Sequence, residues 1–166
     1  MPANNPFIVD IISIIVVPDK PAPATLNPDF LKASKIVPKS WKVREEVSIP
    51  ILSKVVFQNR MVFQWEPHRI VVEDGEETED EGFKKKYSVH DRTAKFLKAV
   101  PYVKPKAIGL NARMIWRKDN AAKWIQTKFL KIGDWSSKAP KLMTSKLNFG
   151  FSSGNDWTLN LELSAD

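Results

Sequence analysis

Nine lysines and arginines fall between Arg113 and Lys146, with only Asp119 and Asp134 against them, and Trp116, Trp124 and Trp135 are interleaved among them. Cationic side chains neutralise phosphates and aromatic planes stack on unpaired bases. The composition therefore holds the ingredients of a surface for single-stranded nucleic acid or another polyanion. Arg113, Arg117, Lys118, Lys123, Trp124, Lys128 and Lys131 are the residues expected to form it. The spacing weighs against a built site, because Lys123, Lys128 and Lys131 spread around a helix instead of lining one stripe. A lysine-rich solvated surface around core tryptophans accounts for the same residues.

Negative charge is concentrated in one run. Glu73, Asp74, Glu76, Glu77, Glu79, Asp80 and Glu81 lie within nine consecutive positions, and Lys84, Lys85 and Lys86 follow almost at once. Residues 1–83 carry 9 Lys/Arg against 13 Asp/Glu, net −4, and residues 84–166 carry 17 against 6, net +11; together these give the +7 of the whole chain. The acids are nearly contiguous, without the alternation and closing glutamate of an EF-hand, so they do not read as a Ca²⁺ site. The expectation is a flexible acidic loop over residues 74–82, able to compete with an anionic ligand for a nearby basic surface.

Other chemistries find little material. The chain has no cysteine, which excludes disulfides, thiolate zinc sites, iron–sulfur clusters and a cysteine nucleophile. His68 and His90 are its two histidines. His90-Asp91 lacks the further histidines that an HD-type metal site needs, and Ile70 and Arg92 stand where a two-histidine phosphoesterase carries Ser or Thr. Six glycines form neither a phosphate loop nor a nucleophile elbow. No catalytic residue, metal ligand or cofactor is assigned, and a non-catalytic protein fits better than an enzyme.

The elements that must carry these residues are legible in outline. Residues 7–17 (FIVDIISIIVV) are β-branched on both alternating sets, the pattern of an interior strand covered on both faces. They are about half the ~20 residues that a bilayer-spanning helix needs and lack a basic leader, so a soluble, cytoplasmic chain with no membrane contact is expected. A Pro-rich connector over residues 18–28 leads to Asn27-Pro28, which caps a short helix ending by Ser34. Val55, Phe57, Met61, Phe63 and Trp65 alternate with polar residues, predicting a meander from Trp41 to Val72 with turns at Gln58-Asn59 and Pro67-His68. A strand beginning at Arg69 is expected to return as residues 83–89, with the acidic run at the hairpin tip. Thr93, Phe96, Leu97 and Val100 predict a helix from His90, and Ile108, Leu110, Ala112, Met114 and Trp116 give one face of a strand. Ala122, Ile125, Phe129 and Ile132 predict another helix. Leu147, Phe149 and Phe151 alternate before SSGND, then Trp157, Leu159, Leu161 and Leu163 alternate after it, forming a terminal hairpin.

These elements predict a single α+β domain: a curved, mainly antiparallel sheet of about seven strands with two or three short helices on one face. The leading functional expectation is a non-catalytic binding protein or complex subunit whose basic C-terminal half contacts an anionic partner, nucleic acid first among them. The alternative is a structural or assembly protein that self-associates or binds a protein partner through sheet edges. A small enzyme or ligand carrier with a pocket between sheet and helices is the third class.

Overall fold

The computed structural model describes residues 7–20, 26–75, 88–116, 120–129, 145–153 and 157–165. The chain forms two compact units, residues 1–116 and 117–166. In the first, β1 (Phe7–Pro18), β2 (Val43–Ile49), β3 (Leu52–Phe57), β4 (Met61–Glu66), β5 (Arg69–Gly75) and β6 (Pro105–Trp116) make one sheet in the order β2-β3-β4-β5-β1-β6. Every neighbouring pair is antiparallel, and the sheet is open. The expected seven strands are thus corrected to six, because the terminal hairpin forms a separate two-stranded sheet in the second unit.

The meander of β2 to β5 follows from alternation, broken at Val56, which is also buried. Val55, Phe57, Met61, Phe63, Trp65, Ile70 and Val72 are buried on one face, whereas Lys54, Gln64 and Glu66 on the other are half-buried. The turns fall where expected. At Gln58-Asn59-Arg60, Arg60 takes the left-handed conformation (φ 64), and the Asn59 side chain accepts a hydrogen bond from the Met61 amide at 3.3 Å. At Pro67-His68, Arg69 donates two hydrogen bonds to the Glu66 carboxylate at 2.8 and 2.9 Å. These bonds, helped by one from Gln64, hold the Glu66 carboxyl below its usual range against a smaller opposing effect of burial.

Two helices cover the face that Trp65 and Phe63 line. In α1 (Pro28–Ala33), Asn27 caps the N-terminus by accepting from the Phe30 amide at 2.8 Å, and Leu31 is fully buried. Replacing Asn27 with alanine should cost about 1 kcal/mol of stability, read as a lower urea midpoint; an unchanged midpoint would remove the cap from the account. In α2 (Val89–Ala99), Val89, Thr93 and Phe96 are buried, and α2 packs on β1 and β5. Thr93 satisfies its buried hydroxyl by donating to the Val89 carbonyl at 2.8 Å. Phe96 meets Phe30, Phe63 and Trp65 at ring separations of 6.1, 6.3 and 5.5 Å, tying both helices to β4. Arg92 donates to the Ile36 carbonyl and lies 5.2 Å over the Trp41 ring, clamping α2 to the segment after α1.

The expected strand over residues 83–89 is overturned in its described part, since Val89 opens α2. The physical reason is the position of β1. It occupies the side of β5 that a returning strand would need, with Ile14 against Val72 and Val16 against Ile70, while β4 holds the other side. The acidic expectation over 74–82 falls largely outside the described residues. Glu73 and Asp74 belong to β5, and Asp74 is buried, where its carboxylate accepts the Ser88 amide at 3.2 Å beside the start of α2.

In the second unit, α3 (Ala121–Phe129) packs against β7 (Ser145–Ser153) and β8 (Trp157–Ala165). The register sets Leu147 opposite Leu163, Phe149 opposite Leu161 and Phe151 opposite Leu159, in the hairpin that the alternation predicts.

Candidate functional site

An open sheet has two edges, and here they differ. The β2 edge is short and charged: Arg44, Glu45 and Glu46 are exposed, Glu45 is bridged by Lys54 at 3.0 Å, and a register shift between Val43 and Glu45 bends the strand. These are the devices by which natural sheets discourage further pairing. The β6 edge is longer and carries fewer charges, Lys106 and Arg113, although Pro105 opens it and its pairing with β1 is shifted near both ends. It runs for 12 residues, and every residue from 105 to 115 is exposed.

The register explains that exposure. Val16, Ile14 and Ile12 of β1 sit on the helix-covered face, and their β6 partners are Ile108, Leu110 and Ala112. α2 reaches β1 and β5, so the outermost strand continues the apolar face past the cover. Ile108 is 61% exposed, Leu110 70% and Met114 53%. A row of large apolar side chains thus lies beside a strand whose outer backbone groups have no strand partner in the sheet. The sequence predicted the apolar face of β6 correctly but gave no reason to expect it uncovered. Pro105 at the first position, which cannot donate to a ladder, and Gly109 in the interior are compatible with an edge but do not by themselves mark one.

The expected polyanion residues divide between the two units. Arg113 lies on β6, largely exposed, and its guanidinium forms an ion pair with Asp10 of β1. Lys123 and Lys128 are exposed on α3. Five residues apart, they point about 140° from each other around the helix axis. Trp124 is half-buried and meets Phe129 edge to face at 5.7 Å, so it packs within its own helix. Arg117, Lys118 and Lys131 lie outside the described residues, as do Glu76, Glu77, Glu79, Asp80 and Glu81.

Among the described residues, no three His, Asp or Glu side chains gather as metal ligands. His68 is exposed in the β4–β5 turn, and His90 is exposed in the first turn of α2 beside Asp91 at 3.2 Å. Among the described residues, Trp65 Nε1 and Arg92 Nε are buried without a hydrogen-bond partner. Trp65 belongs to the core beneath Phe96, and Arg92 lies on α2 beside the Trp41 ring. No helix among the described residues is long and apolar enough to cross a membrane. Compared with known proteins, the sequence matches no family model and no curated protein.

Proposed function

We propose that this chain is a non-catalytic complex subunit that associates by accepting an extended strand of a protein partner along the β6 edge. The supporting observation is β6 itself, a 12-residue edge strand on which Ile108, Leu110 and Met114 are all more than half exposed. Strand addition satisfies the outer backbone groups, and apolar side chains at alternate positions supply pockets for a partner's own alternation. The contrast with the charged, bent β2 edge favours β6 as the docking side. The probe is a synthetic peptide of alternating valine and threonine with a lysine at each end, followed by fluorescence anisotropy. Saturable binding supports the reading. Absence of binding at every concentration contradicts it.

A second reading, contact with an anionic partner such as nucleic acid, is favoured by the exposed Lys123 and Lys128 and by the net +11 of residues 84–166. Affinity for a single-stranded oligonucleotide should then fall steeply with salt, with roughly 0.7 unit of logarithmic slope per phosphate neutralised. Affinity that ignores salt would exclude it.

A further inference from the structure

We infer that the end of the first unit that carries the β2–β3 and β4–β5 turns docks on the surface of an anionic lipid bilayer. Ile49 and Ile51 enter between the headgroups, and Lys20, Lys104 and Lys106 meet the lipid charges.

Register brings these residues to one end of the sheet. Ser48, Ser53, Trp65, Ile70, Val16 and Ile108 are aligned across all six strands. The Pro50-Ile51 turn, the Pro67-His68 turn, the end of β1 and the start of β6 all lie just beyond that line. Trp116, from which the chain leaves the first unit, lies at the opposite end, as do the Gln58-Asn59-Arg60 turn, Glu73 and Asp74.

Two features distinguish the Ile51 end from the other. The first is apolar exposure at the turns. Ile51 is 68% exposed, and Ile49 and Tyr102 are about half exposed, with the Tyr102 ring stacked on Trp65 at 6.5 Å. The second is proline. Pro50 and Pro67 stand in the two turns, Pro18 and Pro105 pair where β1 ends and β6 begins, and Pro101 precedes Tyr102. The Gln58-Asn59-Arg60 turn has none and is polar. Proline has no N–H, so turns built with it carry fewer donors that lose their water on entering an apolar layer. The Asp19 amide beyond Pro18 is already satisfied, donating to the Lys104 carbonyl at 2.8 Å.

Charge complementarity selects an anionic surface. Lys20, Lys104 and Lys106 are exposed at this end with Asp19 against them, and Arg69 is paired with Glu66, which leaves a net +2. The layout favours a lipid interface over a protein groove. The β2–β3 turn and the lysines beside β1 are about three strand spacings apart, roughly 14 Å. A segment seated in a groove needs continuous apolar contact, whereas an interface takes up separate apolar side chains singly and holds tyrosine and lysine at headgroup depth. Surface docking needs no spanning helix, so the shortness of the apolar run at residues 7–17 does not bear on it.

The chain has no cysteine, so one introduced thiol can carry an environment-sensitive dye. The probe is a vesicle of two parts phosphatidylcholine to one part phosphatidylserine. Dye on Ile51→Cys should shift to the blue when vesicles are added, and dye on Asn59→Cys, in the turn at the other end, should not. In co-sedimentation, Ile51→Asp should weaken binding by roughly tenfold or more with no change in melting temperature, because the native side chain is already mostly in water. Lys104→Glu with Lys106→Glu should also weaken it more than tenfold, at about fivefold per unit of charge. Absence of vesicle binding, equal dye shifts at the two positions, or full binding by Ile51→Asp overturns the inference. Full binding by that variant would assign the lipid contact to basic residues elsewhere in the chain. None of these outcomes touches the β6 reading, which peptide binding decides.

Discussion

Phe96→Ala is expected to lower the stability of the first unit by about 3–5 kcal/mol, the range for emptying a packed aromatic site. Phe96 is buried at the meeting point of three elements: its ring contacts Phe30 of α1, and Phe63 and Trp65 of β4. The surroundings cannot collapse into the space, because Trp65 and Phe63 are fixed by the ladder and Leu31 and Val100 are fully buried beside them in the same core. Against a typical total of about 5–15 kcal/mol, such a loss leaves a barely folded protein. Urea unfolding followed by tryptophan fluorescence should show the midpoint falling by more than about 1 M, given slopes of roughly 1–3 kcal/mol per molar. Phe96→Leu, which keeps most of the volume, should lose much less. A loss below about 1 kcal/mol for the alanine variant would mean that α2 does not seal this core.

The second large effect concerns association and should leave the fold alone. Ile108→Lys with Leu110→Lys removes two side chains that are already mostly in water, so stability should change by about 0.5 kcal/mol or less per site. Affinity for the alternating peptide should nevertheless fall by more than tenfold. The two lysines remove the apolar contacts and place two charges along the docking edge, which is how natural edge strands discourage pairing. Paired thermal melts and anisotropy titrations check both halves. Undiminished peptide binding by the double variant would contradict the edge reading. A collapse in melting temperature at concentrations where the chain is monomeric would mean that Ile108 and Leu110 pack within the chain.

Local pattern carried the elements, and sequence-distant pairing decided what they do. Alternation from Val55 to Trp65, the Asn27-Pro28 cap and the helical spacing of Thr93, Phe96 and Leu97 each act over a few residues, and each element formed where that spacing put it. The place of β1 between β5 and β6 depends on partners about sixty and a hundred residues away, and no local signal encodes it. That one placement leaves no side of β5 for the expected return, whose described end, Val89, opens α2 instead. It also made β6 an edge: alternation of Ile108, Leu110 and Ala112 says which side chains share a face, not whether a helix reaches over them. Arg113, expected to contact a polyanion, is held by Asp10, a residue 103 positions away. The basic residues were therefore legible as composition but not as geometry, whereas the candidate edge was legible as a strand but not as a site.

Amide hydrogen exchange along β6 tests the edge claim most directly, because the outer N–H groups of a free edge exchange with solvent and those of a paired one do not. Measured across a dilution series and again with saturating Val/Thr peptide, protection of residues 107–115 should rise with protein concentration or with peptide, while β2 stays unchanged. Exchange in β6 that is equally fast at every concentration and in saturating peptide would contradict the claim.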